Sequence, residues 1–362
     1  MRILYLINGL TVGGAEIITI DIANEMAAKG HKVCLAHILD KNELKNRIDS
    51  SVEVISLCGV KSFFSLFKAT IKFGKIIKEF KPDIVHANMF HANIIARISR
   101  IFHTIPKLIC SAHSNNEGGS LRMLTYRMTD FLSDINTNVS EKAIEHFVNN
   151  KWFSKKKSIC VYNGINVNIF KPDENTRNLY RSKYSIKPED FLFLYVGRLT
   201  KIKDVSTLLN AFQIVSTQKE NVKLLIVGEG EEKTNLENQS KELGIENLVT
   251  FAGKQNDTWN YYNAADCFVL TSSWEGFGIV LVEAMSCGLP VLATNAGGCA
   301  EIINDNNYMI EVGDFRTLSD KMLSISRLDS ASLSKIKEHN IIRAGDFSIE
   351  TILDKWMNVY NK

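Results

Sequence analysis

The chain's 362 residues leave room for two α/β domains of ordinary size. A composition of 45% hydrophobic and 23% charged residues is that of a globular chain, and a net charge of +3 is too small to point to nucleic acid. The seven cysteines are odd in number, scattered and without C-x-x-C, which argues against a disulfide framework or a zinc site and for a reducing compartment.

Ile3 to Ile7 reads as a buried strand. Asn8-Gly9 breaks it too soon for a signal peptide or a membrane span, so the expected location is cytoplasmic. A glycine loop, Asn8 to Gly14, leads into a helix from Ala15 to Lys29 that Gly30 closes. Gly9, Gly13 and Gly14 do not make G-x-G-x-x-G, so the loop is not a dinucleotide fingerprint. Lys32 to His37 and Val52 to Ser56 are further strands. Residues 61–80 form an amphipathic helix with Phe63, Phe64, Phe67, Ile71, Ile76, Ile77 and Phe80 on its apolar side. From Lys61 to Lys107 there are nine Lys/Arg and two Asp/Glu. That excess is either a solvated face or a basic surface for anionic phospholipid.

Two strands, Asp83 to His86 and Leu108 to Ala112, run into histidine-bearing loops, His86 to His91 and His113 to Gly119. Ligands of open α/β sheets sit beyond the carboxyl ends of strands. No carboxylate cluster accompanies His86 and His91, which leaves them as candidate cleft residues rather than metal ligands. Glu117-Gly118-Gly119 precedes a basic helix bearing Arg122 and Arg127 and reads as a loop at the strand's carboxyl end. Asp134 to Val139 and Ser158 to Val161 complete the first domain, and Tyr162 to Asn166 reads as a hinge.

A second βα series opens with Phe191 to Gly197, followed by Arg198 and Lys203. Two cations at a strand's carboxyl end suit a diphosphate. Leu224 to Gly228 runs into Gly228-Glu229-Gly230, with Lys233 where a third fingerprint glycine would stand. Val249 to Gly253 precedes Lys254, and Asp266 to Leu270 leads into the loop 272–277. A helix starts near Gly278, and the next strand is Pro290 to Ala293. Glu275 lies on the loop and Glu283 inside the apolar helix. Gly276 and Gly278 allow close backbone approach, and a helix N-terminus suits phosphate. Carboxylates that bind hydroxyls beside an anion cradle suit a sugar nucleotide. A cap at Glu275 and a buried ion pair at Glu283 are the plain structural alternatives. Phe347 to Tyr360 reads as a final helix.

Glu275-x7-Glu283, followed by Ala284-x3-Gly288-x-Pro290-Val291, resembles the signature of the retaining GT-B glycosyltransferases of family 4. That resemblance implies an α/β chain of two Rossmann-like domains facing each other across a cleft. The acceptor-side domain would span 1–162 plus 346–362, the nucleotide-sugar domain 163–345, and the C-terminal helix would cross back to the first domain. It implies that Glu275 binds a donor-sugar hydroxyl and Glu283 the ribose hydroxyls, while Arg198 and Lys203 stabilise the departing diphosphate. His113 would contact the donor sugar, His86 and His91 would be acceptor-side candidates, and the Glu117-Gly118-Gly119 loop would overhang the cleft as an acceptor loop. Gly13-Gly14-Ala15-Glu16 is similar to the family's GGAE turn near the diphosphate, although Glu16 reads equally well as a helix-starting acid. Gly228 would flank the nucleotide, Lys254 would border the base, and Gly276, Phe277, Gly278 and Ile279 would line the donor. Thr294 to Gly298 would lie beneath the sugar, with Glu301 a helix-side contact. No metal is expected, since no D-x-D ends a strand.

The implied reaction transfers a hexose or N-acetylhexosamine, UDP-linked, to a saccharide acceptor, lipid-linked, in bacterial surface polysaccharide or lipopolysaccharide assembly. The protein would then work at the inner face of the cytoplasmic membrane, in peripheral contact with anionic lipid. A sugar-nucleotide epimerase on the same fold is the alternative. A dehydrogenase lacks its fingerprints, and the intact charged residues argue against a non-catalytic binding module.

Overall fold

The structure, a computed structural model, describes residues 1–11, 13–40, 42–59 and 63–362. Two compact units emerge, one of residues 1–164 with 349–362 and one of 165–348. The sequence-based boundaries stood at 162/163 and 345/346.

The first unit carries seven strands: β1 (Arg2–Ile7), β2 (Lys32–Leu39), β3 (Glu53–Gly59), β4 (Ile84–Asn88), β5 (Lys107–Ser111), β6 (Ile135–Asn138) and β7 (Ser158–Cys160). Five helices alternate with them: α1 (Gly14–Ala28), α2 (Phe63–Phe80), α3 (Phe90–Phe102), α4 (Ser120–Thr129) and α5 (Glu141–Asn149). The strand order is β3-β2-β1-β4-β5-β6-β7, every pair parallel. Helices cover a parallel sheet on both faces, so its strands become continuous apolar runs, and Ile3 to Ile7 is wholly buried.

The second unit runs α6 (Glu174–Lys183), β8 (Phe191–Val196), α7 (Val205–Gln218), β9 (Val222–Val227), α8 (Lys233–Glu242), β10 (Val249–Gly253) and α9 (Thr258–Ala264). It continues through β11 (Cys267–Leu270), α10 (Ile279–Ser286), β12 (Val291–Thr294), α11 (Cys299–Ile303), β13 (Met309–Ile310), α12 (Phe315–Ser326) and α13 (Ser330–Gly345). Its sheet is ordered β10-β9-β8-β11-β12-β13, again all parallel. The last helix, α14 (Ile349–Asn361), belongs to the first unit. There the Tyr360 and Tyr5 hydroxyls meet at 2.9 Å.

One expectation about the first unit is corrected. The apolar residues of α2 do not share one side. Phe73, Ile76, Ile77 and Phe80 are buried, whereas Phe67 and Ile71 are 63% and 50% exposed. Phe63 and Phe64, placed on the same side from sequence, have side chains outside the described residues. Among the described residues no helix is long and apolar enough to cross a membrane, and no group of three or more His, Cys, Asp and Glu could hold a metal.

Candidate functional site

In each sheet the strand order reverses once, between β1 and β4 and between β8 and β11. Loops leaving neighbouring strands at such a point diverge and open a crevice at the carboxyl ends. The sequence candidates cluster on these loops.

In the second unit, the loop after β8 and the loop after β11 are laced together. Ser273 donates its backbone N–H and its hydroxyl to the Ile202 carbonyl, at 2.8 and 2.9 Å. Thr271 Oγ1 donates to the Lys203 carbonyl at 3.3 Å. The lacing brings Lys203 Nζ to 2.5 Å from Glu275 Oε1. Ser272 Oγ donates to the same oxygen at 2.6 Å. Glu275 is only 8% exposed, so its charge depends on these two partners. Removing either would leave a buried carboxylate under-satisfied.

The loop after β12 holds the arrangement from the other side. Thr294 Oγ1 donates to the Ser272 carbonyl at 2.5 Å. Gly297, at φ +55°, lies so close that a Cβ there would meet the Glu275 carbonyl oxygen at 1.7 Å. No other residue fits that approach. Arg198 is exposed on the same β8 loop and forms no ion pair among the described residues. Its backbone carbonyl accepts from the Tyr195 hydroxyl at 3.2 Å.

Gly278 caps α10 at φ +93°, and Glu283 lies in the second turn of that helix. Glu283 is half-buried, and its Oε2 accepts from the Tyr262 hydroxyl at 2.7 Å. Burial first, and the Glu283 charge second, hold Tyr262 protonated well above its usual range. The Phe277 ring is buried and packs on Phe347 at 5.5 Å between centroids, which leaves its backbone as the part that can face a ligand. The neighbouring Gly276 and Ile279 are half-buried. Gly228, at φ +149°, packs against the β8 loop, where a Cβ would come within 1.8 Å of the Gly197 carbonyl oxygen. Lys254 is exposed after β10. Glu301 gives its backbone carbonyl to Arg343.

In the first unit the candidates are neutral. His113 Nε2 donates to Asn88 Oδ1 at 2.9 Å. Burial pulls its pKa down to about 4, and Nδ1 is enclosed without a partner among the described residues. Its backbone N–H donates to Glu117 Oε1 at 3.0 Å, and Tyr126 donates its hydroxyl to Glu117 Oε2. Burial outweighs these bonds and raises Glu117 to about 7. His86, read from sequence as an acceptor-side candidate, is instead 1% exposed inside β4. Its ring bridges the Tyr360 hydroxyl at 2.8 Å and Ser111 Oγ at 2.7 Å. Burial, with His113 nearby, lowers it to about 3. His86 therefore ties α14 to the sheet. Gly13 and Gly14 stand at the start of α1, with Gly13 extended at φ −154°. Among the described residues a Cβ built on Gly14 would meet nothing within 4 Å.

Comparison with known proteins resolves the family. Residues 176–345 match Glycosyl transferases group 1, and residues 12–169 match Glycosyltransferase Family 4. The chain belongs to the family 4, group 1 glycosyltransferases. Its fold is GT-B, built of two Rossmann-like parallel-sheet units. It is 26% identical over 333 residues to the N-acetyl-alpha-D-glucosaminyl L-malate synthase of Bacillus anthracis, covering 87% of this chain and 85% of that one. It is 25% identical over 344 residues to the UDP-Gal:alpha-D-GlcNAc-diphosphoundecaprenol alpha-1,3-galactosyltransferase of Escherichia coli, covering 89% and 87%. The crystal structure of Anabaena HepE with UDP and glucose superposes with a TM-score of 0.87 at 23% identity, over 100% of this chain and 99% of that one.

Within this glycosyltransferase, sequence reasoning overlooked Ser272, Asn88 and Tyr262. Ser272-x-x-Glu275 has the spacing at which a hydroxyl and a carboxylate meet across a turn, a signal that was available. Asn88 and Tyr262 carried none, because their partners are 25 and 21 residues away.

Proposed function

We propose that this glycosyltransferase moves a hexosyl or N-acetylhexosaminyl group, with retention of anomeric configuration, from a UDP-sugar to a lipid-linked saccharide in bacterial surface polysaccharide or glycan assembly. The observation that carries the donor side is the Lys203–Glu275–Ser272 cluster at the strand reversal of the second sheet. Both hydrogen bonds to Glu275 end on Oε1, so Oε2 can accept from a sugar hydroxyl. Lys203 is held at that spot before any ligand arrives. With the exposed Arg198 it supplies two cations for the charge that grows on the leaving diphosphate. Preorganised cations require little reorganisation during bond breaking. For this reason turnover should need no divalent metal, and a chelator should leave the rate unchanged.

Gly276, Gly278 and Ile279 would present backbone N–H groups to the diphosphate. Glu283, oriented by Tyr262, would take the ribose hydroxyls. Gly228 and Lys254 would border the nucleotide, and Gly13-Gly14 would approach the diphosphate. His113 would reach the transferred sugar as a neutral imidazole. UDP as carrier, and a diphosphate lipid as acceptor anchor, draw support from the Escherichia coli relative, and UDP also from Anabaena HepE. The Bacillus anthracis relative, named for malate, shows why the acceptor needs its own test.

A panel of UDP- and GDP-sugars titrated against the protein tests the donor, with tight binding expected for a UDP-sugar. Incubation with donor and a saccharide diphosphate-lipid, followed by NMR of the product, tests the acceptor and the retained anomeric configuration. An inverted product would overturn retention. Isomerised donor formed without any acceptor would favour the epimerase reading.

A further inference from the structure

α2 and α3 carry more apolar surface than their shared core uses. Phe73, Ile76 and Ile77 of α2 and Ala92, Ile95 and Ala96 of α3 are buried in that core. On the outer side, Phe67 and Ile71 of α2 and Ile94, Ile98 and Phe102 of α3 line an open groove of about 600 Å³. That volume is in the range of sites for small ligands. Phe102 is 73% exposed. Apolar surface gathered in this way is costly to leave against water and marks a contact.

The rim is cationic. Lys75 and Lys78 border the groove, and neither forms an ion pair among the described residues. The face also continues beyond the groove. Arg122 of α4 lies over the ring of Phe90, itself a groove residue, at 5.2 Å. Leu121 and Met128 of α4 are exposed on the same helix.

Hydrocarbon walls with lysine ammonium groups at the mouth match one chemistry, an alkyl or isoprenyl chain ending in phosphate. We propose that the α2–α3 groove takes the hydrocarbon chain of a single phosphate-bearing lipid, with Lys75 and Lys78 on its phosphate. This rests on the reading of a lipid-linked acceptor only for the identity of the lipid. The groove and its charge are properties of the first unit.

The test is calorimetric titration of the full chain with dodecyl phosphate below its micelle concentration. The control arms are dodecyl maltoside, inorganic phosphate, and vesicles of phosphatidylcholine with about a third phosphatidylglycerol. Saturable binding of one chain per protein is expected. It should weaken about tenfold or more in Lys75→Glu/Lys78→Glu and in Ile98→Glu. Phe102→Ser, at a surface position, repeats the test should Ile98→Glu lower the melting temperature. Dodecyl maltoside should bind more weakly and inorganic phosphate not at all.

Unchanged dodecyl phosphate binding in the groove variants would overturn the proposal. So would variants that lose only vesicle binding, which would mean a membrane-facing surface rather than a chain site. A dimer that Ile98→Glu dissociates would make a second copy the occupant and overturn it as well. UDP titrated into the same samples separates the two readings. Its binding should survive every groove variant, and failure in the wild type would count against the proposed function alone.

Discussion

The two strand reversals use the same topology for opposite electrostatics. In the second unit the reversal carries charge: Lys203 and Glu275 form a mostly buried ion pair beside the exposed Arg198. In the first unit it carries neutrality: His86 and His113 are held uncharged, and Glu117 is raised towards neutral pH. The difference follows from how the loops are anchored. Hydrogen bonds from Ser273 and Thr271 lace the β8 and β11 loops side by side, so opposite charges meet. In the first unit α14 covers the sheet, and Tyr360 is fully enclosed with His86. Enclosure penalises charge unless it is paired.

Breaking the charged side at its backbone should have the strongest consequence. Gly228→Ala places a methyl group against the Gly197 carbonyl in a conformation that only glycine tolerates. Overpacking and strain together should cost about 3 kcal/mol or more, read as a lowered urea midpoint. A midpoint like that of the wild type would show that the β8 loop yields freely.

Arg198→Ala should slow turnover by about 100-fold while leaving stability nearly unchanged, since the side chain is exposed and without an ion pair among the described residues. Near-normal turnover would remove Arg198 from the proposed chemistry. Ser272→Ala, which strips one of the two donors from Glu275 Oε1, should cost about 1 to 2 kcal/mol in stability, measured in the same urea series.

The neutral side should show itself through pH. His86 and His113 titrate at about 3 and about 4 in the folded protein, against an ordinary value of 6.5. The unfolded chain therefore takes up protons first. Their stabilisation is complete above pH 6.5 and is lost as the pH falls towards 4 and 3. At pH 5 each should have cost on the order of 1 to 2 kcal/mol. Glu117 has the opposite sign: raised from 4.5 to about 7, it favours the fold most below 4.5 and least above 7. Denaturation at pH 5 and pH 7 for wild type and His86→Gln separates these. The variant should lose less stability than the wild type on going to pH 5. The smallest effect should come from Tyr360→Phe, which removes one hydroxyl from the chain Tyr5–Tyr360–His86 and should cost about 1 kcal/mol.

Much of the fold could be read directly. The apolar runs at 3–7 and 191–197 fall on β1 and β8, because strands covered on both faces need hydrocarbon at nearly every position. The periodicity of α2 was legible as a helix but not as two faces, since one apolar stripe cannot show which members find a partner. β13, α6, α12 and α13 were missed, being short or polar with apolar positions set by distant neighbours. Of the candidate residues, Lys203 and Glu275 do meet, but their direct pairing was not foreseen, because 72 residues separate them.

Local patterns along the chain suffice for the class of the molecule: alternating apolar strands and helices, glycines at tight approaches, and charged residues placed just after strand ends. Those features depend on neighbours within a turn or two along the chain. The folded arrangement sets which charges pair, which histidines lie beyond the reach of water, and which apolar helix faces stay open. Pairing, desolvation and exposure depend on atoms brought together from far apart in the chain, and no local pattern records them.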